Sequence, residues 1–235
     1  MIKIENLKKS YNGALVLDIE ELKVTQGTSF GLVGNNGAGK TTLFRLILDL
    51  IKADTGWVKS NEIDVKSTSE WKTYTGSFLD EGFLVDFLSA EEYFNFIAKI
   101  NSVSKSELDA LIEAFSDFFG GEILNQKKYI RDFSKGNQKK IGIFAAIMSQ
   151  PEVLVLDEPF ANLDPSSQIR LKQLLKNLQK EKNVCMLISS HDLNHVTEVC
   201  ERIVVLEKGK IINDIQTSED TLSDLESYFS AELCS

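Results

Sequence analysis

A glycine-rich stretch contains the residues of this sequence best suited to chemistry. It reads Gly34-Asn35-Asn36-Gly37-Ala38-Gly39-Lys40-Thr41 and fits G-x-x-x-x-G-K-[S/T] at every specified position. Glycines let the backbone curl so that successive N–H groups point at phosphate oxygens. Lys40 supplies a mobile cation for the β- and γ-phosphates, and Thr41 supplies a hydroxyl for Mg²⁺. The stretch therefore predicts binding of a nucleoside triphosphate with Mg²⁺.

A pair of acids, Asp157-Glu158, follows the apolar run Val153-Leu154-Val155-Leu156. Such a run is typical of a strand buried on both faces, and ligands of parallel sheets bind where the strands end. Asp157 is suited to the Mg²⁺ shell, and Glu158 to deprotonating a water aimed at the γ-phosphate. The alternative is that both acids cap the next turn, but their convergence on the phosphate loop favours the chemical role.

The elements around the first site are short strands and one helix. Strands are predicted at Ile2–Ile4, Leu15–Leu17 and Phe30–Val33. A helix after the glycine-rich stretch is predicted to place one apolar face on the core and to end before the turn Ala53–Gly56. That face consists of Leu43, Leu46, Ile47, Leu50 and Ile51.

The middle of the chain differs in character, because ten of the fourteen phenylalanines lie between Phe78 and Phe144. Helical periodicity over Ala90–Ile100 and Glu107–Phe119 predicts a helical subdomain inserted between two α/β halves. Most of these rings are expected to fill a small core. Ala90–Ile100 is the stretch expected to leave some of them exposed.

The strand and helix alternation resumes at Val153. It predicts a buried strand at Val184–Ile188, a hairpin of Ile203–Leu206 with Ile211-Ile212, and an acidic, weakly helical end from Thr217. Two further helices are predicted, one around Leu171 to Leu178 and one at Leu193–Cys200. The pattern favours a mostly parallel sheet covered on both sides.

Composition excludes several classes of protein. The 235 residues, 43% hydrophobic and 26% charged, suit one domain with a grafted subdomain. A net charge of −9 without a basic stripe argues against binding nucleic acid or an anionic membrane directly. No signal peptide or membrane-spanning run is visible. Reduced thiols in the cytosol are expected for the three separated cysteines, Cys185, Cys200 and Cys234.

Five motifs in order resemble the ATP-binding cassette (ABC) ATPases over essentially the whole chain. They are the phosphate loop, the helix start Ser134-Lys135-Gly136-Asn137, the strand ending in Asp157-Glu158, Ala161-Asn162-Leu163-Asp164, and Ser190-His191. The resemblance implies a P-loop NTPase (RecA-like) core with an N-terminal antiparallel β subdomain and an inserted helical subdomain. Residues 1–77 and 148–216 would form the core with its β subdomain, residues 78–147 the helical subdomain, and residues 217–235 an acidic helix.

The resemblance also implies a role for each matching residue. Glu158 would be the catalytic base and His191 the switch that contacts the γ-phosphate, whereas His195 has no match and is expected to be a partly buried helix residue. Tyr11 would stack on adenine, Gly34 to Thr42 would form the Walker A loop, and Thr41 with Asp157 would hold Mg²⁺. Ser134, Gly136 and Asn137 would act on ATP held by a second copy, in a head-to-tail sandwich, and Asp164 would link the two sites.

Two departures from the family pattern stand out. The signature is Phe133-Ser134-Lys135-Gly136-Asn137 in place of LSGGQ, which keeps the serine hydroxyl and one close backbone approach. The family's glutamine at the joint to the helical subdomain maps onto Asp80, a carboxylate that can ligand Mg²⁺ but cannot donate a hydrogen bond. The mapping can also shift by one residue to Glu81.

Members of the family that this chain resembles fall into two functional classes, transporter motors and soluble ATPases. A transporter motor that hydrolyses ATP is favoured. It would be a homodimer or heterodimer of ATPase subunits, working with a separate integral membrane permease from the cytoplasmic face of the cell membrane. Export is preferred over import, because the Ser-Lys-Gly signature and the short C-terminus resemble exporter-like members. The alternative is a soluble ABC ATPase, such as an iron–sulfur cluster assembly ATPase.

Overall fold

The computed structural model describes residues 1–232, so Cys234 and the final residues of the predicted acidic helix lie outside the described part of the chain. In this described part, ten strands, eight α-helices and three short 3₁₀ turns are arranged in two sheets with helices packed on them. Within residues 1–232, every helix is too short or too polar to cross a bilayer.

The smaller sheet is antiparallel and has the order β2-β1-β4-β5. Its strands are β1 (Ile2–Tyr11), β2 (Ala14–Val24), β4 (Thr55–Ser60) and β5 (Ile63–Asp64). The first two form a hairpin whose turn residues, Asn12 and Gly13, both have positive φ. An Asn-Gly pair favours this turn because its backbone twist matches that of the flanking strands. The antiparallel β subdomain implied by the family resemblance is confirmed.

The larger sheet has the order β10-β9-β3-β8-β7-β6 and is parallel except for β9 with β10. The strands are β3 (Ser29–Val33), β6 (Thr75–Phe78), β7 (Val153–Asp157), β8 (Cys185–Ser190), β9 (Arg202–Glu207) and β10 (Lys210–Gln216). Val33 lies opposite Ser190, and Asp157 lies opposite Ser189. The chain segments that leave β3, β7 and β8 therefore start at one edge of the sheet.

Both faces of the larger sheet are covered, as the uninterrupted apolar runs predict. Alternate residues of β7 divide between two cores: Val153 and Val155 join the core shared with the smaller sheet, and Leu154 and Leu156 join the other. The helices on these faces are α1 (Lys40–Ile47), α5 (Lys135–Met148), α6 (Pro165–Lys182), α7 (Leu193–Val199) and α8 (Thr221–Glu232).

The middle of the chain adds α2 (Ala90–Ile100), α3 (Lys105–Ala114) and α4 (Ser116–Phe119). Ser89 and Ser104 each begin a helix with a reciprocal capping box. The rings of Phe94, Phe115 and Phe119 lie 4.6 to 5.1 Å from that of Phe144, centroid to centroid. These rings link the inserted helices to α5, whereas other phenylalanines of the segment, Phe83, Phe87 and Phe96, are exposed.

The predicted helices differ from the structure in three places, and the predicted strands Ile2–Ile4 and Leu15–Leu17 are longer in the structure. The first helix ends at Ile47, because Asp49 turns to a φ of 50°, so Leu50 and Ile51 do not continue its apolar face. The predicted helix Glu107–Phe119 is two helices, since Phe115 departs from helical geometry between them. The last helix begins at Thr221 rather than Thr217.

Gly76 provides a test of how β6 packs on α5. A Cβ atom at this position would lie 2.0 Å from the carbonyl oxygen of Ala146. We expect Gly76→Ala to lower the free energy of unfolding by about 1–3 kcal/mol, because the backbones must separate. Urea denaturation measures the change. Ser77→Ala, on the exposed side of the same strand, is the control, and an equal loss in both variants would contradict this packing.

Candidate nucleotide-binding site

The glycine-rich stretch joins β3 to α1 and lines a cavity of about 220 Å³, together with Val16 and Glu158. Gly39 is required where the loop meets the helix: its φ is 109°, and a Cβ atom would lie 3.1 Å from the carbonyl oxygen of Val16. No side chain caps the N-terminus of α1, and no acid lies in its first turn. The free N–H groups and the helix dipole therefore favour an anion here.

Lys40 is buried at the mouth of α1, 6% exposed. Its ammonium group donates hydrogen bonds to the carbonyl oxygens of Gly34, at 2.7 Å, and Asn35, at 3.4 Å. The same nitrogen lies 3.6 Å from a carboxylate oxygen of Glu158. The cation is thus held between the phosphate loop and the acid that follows β7.

Asp157 is 4% exposed and is held from two sides. Thr41 Oγ1 donates to one carboxylate oxygen at 2.6 Å, and the hydroxyl of Ser189 donates to the other. Thr41 and Asp157 present the hard oxygen donors that Mg²⁺ prefers. Within residues 1–232 no cluster of three or more His, Cys, Asp or Glu side chains could hold a metal. The oxygen donors of Thr41 and Asp157 therefore fit the Mg²⁺ ion that the sequence predicts.

Glu158 is fixed through its backbone and its side chain. Its φ is 47°, an uncommon conformation for a residue with a side chain. Its N–H donates to Ser189 Oγ at 2.9 Å, and its carbonyl oxygen accepts from Lys139 Nζ at 2.7 Å. Its carboxylate lies 2.8 Å from Nδ1 of His191, the residue that follows β8. The proposed base and the proposed switch histidine are therefore in direct contact.

Two residues at this site were missed by the sequence reasoning, Ser189 and Lys139. Lys139 lies on α5, and its ammonium group is 3.8 Å from a carboxylate oxygen of Glu81. Burial lowers the pKa of Lys139, and the charge of Glu81, followed by those of Glu158, Asp157 and Asp80, opposes that shift. Only the run of lysines after Ser134 could have drawn attention to this position.

Asp80 and Glu81 have different surroundings. A carboxylate oxygen of Asp80 accepts a hydrogen bond from the N–H of Gly82 at 2.6 Å and so caps the 3₁₀ turn Glu81–Phe83. Glu81 instead faces Lys139. The role of Asp80 as a metal ligand stays a prediction, and the structure brings the carboxylate of Glu81 to the lysine that binds Glu158.

The signature residues form a second surface, because none of them lines the phosphate-loop cavity. Ser134 caps α5 by accepting a hydrogen bond from the N–H of Asn137, and the Asn137 amide donates to Glu122. A Cβ atom at Gly136 would lie 2.6 Å from the carbonyl oxygen of Asn162, so α5 packs closely on the loop that leads to Asp164. This close packing explains why a glycine is needed there.

Asp164 begins α6 by accepting hydrogen bonds from Ser166 Oγ and from the hydroxyl and N–H of Ser167. These bonds, with Ser166 first, hold the pKa of Asp164 far below its ordinary value. Lys140 Nζ lies 3.8 Å from the same carboxylate. Asp164 therefore has a structural role as a helix cap, whatever it does across an interface.

Two further residues considered from the sequence, Tyr11 and His195, lie outside the phosphate-loop cavity. Tyr11 is 43% exposed, with the Lys9 ammonium 5.2 Å from its ring centroid. It does not line the phosphate-loop cavity, and its adenine-stacking role stays a prediction. The His195 side chain is largely buried on α7, with its ring 4.6 Å from that of Phe160. Burial lowers the pKa of His195, which favours the neutral ring.

A family model and several similar relatives agree on the family that this chain resembles. A family model described as ABC transporter matches residues 17–161. An uncharacterised ABC transporter ATP-binding protein of Synechocystis, sll0415, is 34% identical over 202 residues, which cover 83% of this chain and 56% of that protein. The bacitracin transport ATP-binding protein BcrA of Bacillus licheniformis is 33% identical, covering 92% of this chain and 69% of BcrA. The methionine import ATP-binding protein MetN 1 of Bacillus thuringiensis is 30% identical, covering 91% and 66%.

Solved structures agree with these sequence matches. A structure described as the ATP binding subunit of an ABC transporter superposes with a TM-score of 0.82 at 26% identity, covering 98% of this chain and 93% of that one. The dimeric structure of MJ0796, a bacterial ABC transporter cassette, has the same fold, with a TM-score of 0.82 at 23% identity and coverage of 93% and 99%. The present chain spans little more than half of the Synechocystis relative.

Lys40 gives a direct test of the phosphate loop. We expect Lys40→Ala to weaken ATP binding about a hundredfold or more, because the buried cation that faces the phosphates is lost. Equilibrium titration with a fluorescent ATP analogue measures this affinity. Lys52→Ala removes an exposed lysine beyond the same helix and should leave the affinity unchanged. Normal affinity in the Lys40 variant would contradict the assignment of the site.

Proposed function

The chain belongs to the ABC transporter family of ATP-binding ATPases, and from this premise we propose that it is the ATP-hydrolysing motor subunit of a membrane transporter. The observation that carries the proposal is the convergence of Lys40, Thr41, Asp157, Glu158 and His191 at one edge of the larger sheet. Each of these side chains can act on a different part of a nucleoside triphosphate or on the water that attacks it.

The chemistry assigned to each residue follows from its contacts. Loop N–H groups bind phosphate oxygens, and the Lys40 ammonium exchanges the Gly34 carbonyl for the β- and γ-phosphates. Glu158 orients the attacking water and accepts its proton, while His191 beside it contacts the γ-phosphate. Mg²⁺, held by Thr41 and Asp157, would neutralise phosphate charge. Asp80 is proposed as a further ligand of the ion.

The signature surface supports a dimeric mechanism. Ser134 and Gly136 lie at the start of α5, outside the phosphate-loop cavity of their own chain. We infer that they close over ATP held by a second cassette, with Asn137 and Asp164 nearby, since the N-terminus of a helix is suited to bind phosphate. The second cassette would be another copy of this chain or a related subunit.

A groove that exposes several large apolar side chains supports a membrane partner. It has a volume of about 250 Å³ and lies between β6, the turn after it and α2, with a lining that includes Leu50, Phe83, Tyr93 and Ile97. Phe83 and the nearby Phe87 are 59% and 61% exposed. Exposed aromatic side chains beside a groove are typical of interaction sites. We propose that a short cytoplasmic helix of a permease docks here, which would hold the chain at the inner face of the cell membrane.

Export is the direction we propose, because the Ser134-Lys135-Gly136 signature resembles exporter-like family members. The relatives do not decide the direction, because one is a bacitracin transport protein and another a methionine import protein.

A transport assay tests the direction. A strain that lacks this chain should accumulate more of some toxic compound from a labelled panel. Reduced uptake of a nutrient in that strain would contradict export.

An affinity pull-down from detergent-solubilised membranes tests the partner. We expect the tagged chain to recover a polytopic membrane protein, because the groove beside α2 exposes large apolar side chains. Phe83→Ser should reduce the recovery, and Tyr129→Ser, at an exposed aromatic outside this groove, should not. Recovery of soluble scaffold proteins alone would favour the iron–sulfur assembly alternative.

Glu158→Gln tests hydrolysis and dimerisation together. The amide cannot accept a proton from water, so we expect ATP to bind, turnover to fall about a thousandfold, and the chain to elute as a dimer in gel filtration with MgATP. Glu152→Gln, at the opposite end of β7, is the matched control and should stay active. A monomer at saturating MgATP would count against the sandwich.

A further inference from the structure

Lys139 is a buried cation outside the phosphate-loop cavity. It is 5% exposed, and Lys40 is the lysine that lines that cavity. A buried ammonium group is costly unless it is paired and hydrogen-bonded. Its nitrogen has two partners: the carbonyl oxygen of Glu158 at 2.7 Å and a carboxylate oxygen of Glu81 at 3.8 Å. Lys139 therefore contacts the site through the backbone of Glu158 rather than through a phosphate subsite.

The backbone that Lys139 binds is a strained one. Glu158 has a φ of 47°, and a left-handed conformation persists at a residue with a side chain only when the surroundings enforce it. Ser189 Oγ accepts from its N–H on one side, and Lys139 donates to its carbonyl oxygen on the other. The second bond has a charged donor and is therefore the stronger type. Together they fix the direction in which the Glu158 carboxylate points.

We propose that Lys139 is a positioning residue for the reaction: its ammonium group links Glu81 to the carbonyl oxygen of Glu158 and so holds the base in place for attack of water on the γ-phosphate. This inference rests on the proposed function of Glu158. It gives a function to a lysine of α5, the helix that begins with the signature residues.

The position of Glu81 gives the link a second consequence. Glu81 begins the 3₁₀ turn that ends at Phe83, and Phe83 lines the groove beside α2. A displacement of this turn moves a charged partner of Lys139, and Lys139 in turn binds the carbonyl of Glu158. The groove and the proposed base are therefore connected through two side chains, Glu81 and Lys139, and two polar contacts.

Steady-state kinetics of the purified chain test the proposal. Lys139→Met keeps an unbranched stem of similar volume but removes the charge and all N–H donors. We expect kcat to fall about tenfold or more, because misplacing a catalytic group is costly, with KM and the affinity for the fluorescent ATP analogue within about twofold. Lys139→Arg should restore part of kcat, because a cationic donor is still present.

Lys172→Met is the matched control. Lys172 is a largely buried lysine on α6 that pairs with Glu198 at 2.8 Å, away from the site, so its loss should leave kcat unchanged. Thermal unfolding of each variant checks that it folds. Should Lys139→Met fail to fold, Lys139→Leu, which also lacks a donor, replaces it under the same expectations.

A double variant identifies the route of action. If Lys139 acts through Glu158, adding Lys139→Met to Glu158→Gln should leave the residual single-turnover rate unchanged within about twofold. A further tenfold loss would overturn the proposal, and so would an unchanged kcat or a parallel loss of nucleotide affinity in Lys139→Met alone. An unmodified chain that does not hydrolyse MgATP would instead contradict the proposed function.

Discussion

The ends of β7 and β8 lie side by side in the larger sheet, and the pairing of Asp157 with Ser189 there orders the candidate site. Ser189 donates to the Asp157 carboxylate and accepts from the N–H of Glu158. Just beyond the ends of the two strands, Glu158 and His191 meet at 2.8 Å. A slip of one residue in this register would place the side chains of Asp157 and Ser189 on opposite faces of the sheet, because side chains alternate along a strand.

Much of the fold follows from local pattern. The apolar runs of β7 and β8 predict strands buried on both faces, and alternate β7 residues do divide between two cores. The local sequence pattern does not predict where a helix ends when tertiary packing decides its last residue. Leu50 and Ile51 continue the helical period of α1, yet the helix stops at Ile47 and Leu50 is half exposed beside the groove. Periodicity cannot distinguish an apolar residue on the core from one at an interaction surface.

Some residues of the candidate site could likewise be predicted from the sequence, and others could not. Gly34 to Thr41 could be found from sequence because a loop that binds phosphate with consecutive backbone groups must be a contiguous motif. Ser189 and Lys139 could not, since each acts on a residue about twenty or more positions away and is recognised only from its contacts. The ambiguity between Asp80 and Glu81 has a similar cause: adjacent residues at a strand end point in different directions, and only the turn that follows decides which one faces the site.

The contacts of Glu158 indicate which part of the candidate site is already in place within one chain. Ser189 and Lys139 hold its backbone, and Lys40 and His191 hold its carboxylate, so the proposed base is ordered within a single chain. A preorganised base needs little rearrangement in the transition state. The signature residues, by contrast, lie outside the cavity of their own chain. Within the proposed mechanism, ATP binding and closure of two cassettes would therefore limit turnover more than the placing of Glu158 does, because only closure brings Ser134 and Gly136 to the γ-phosphate.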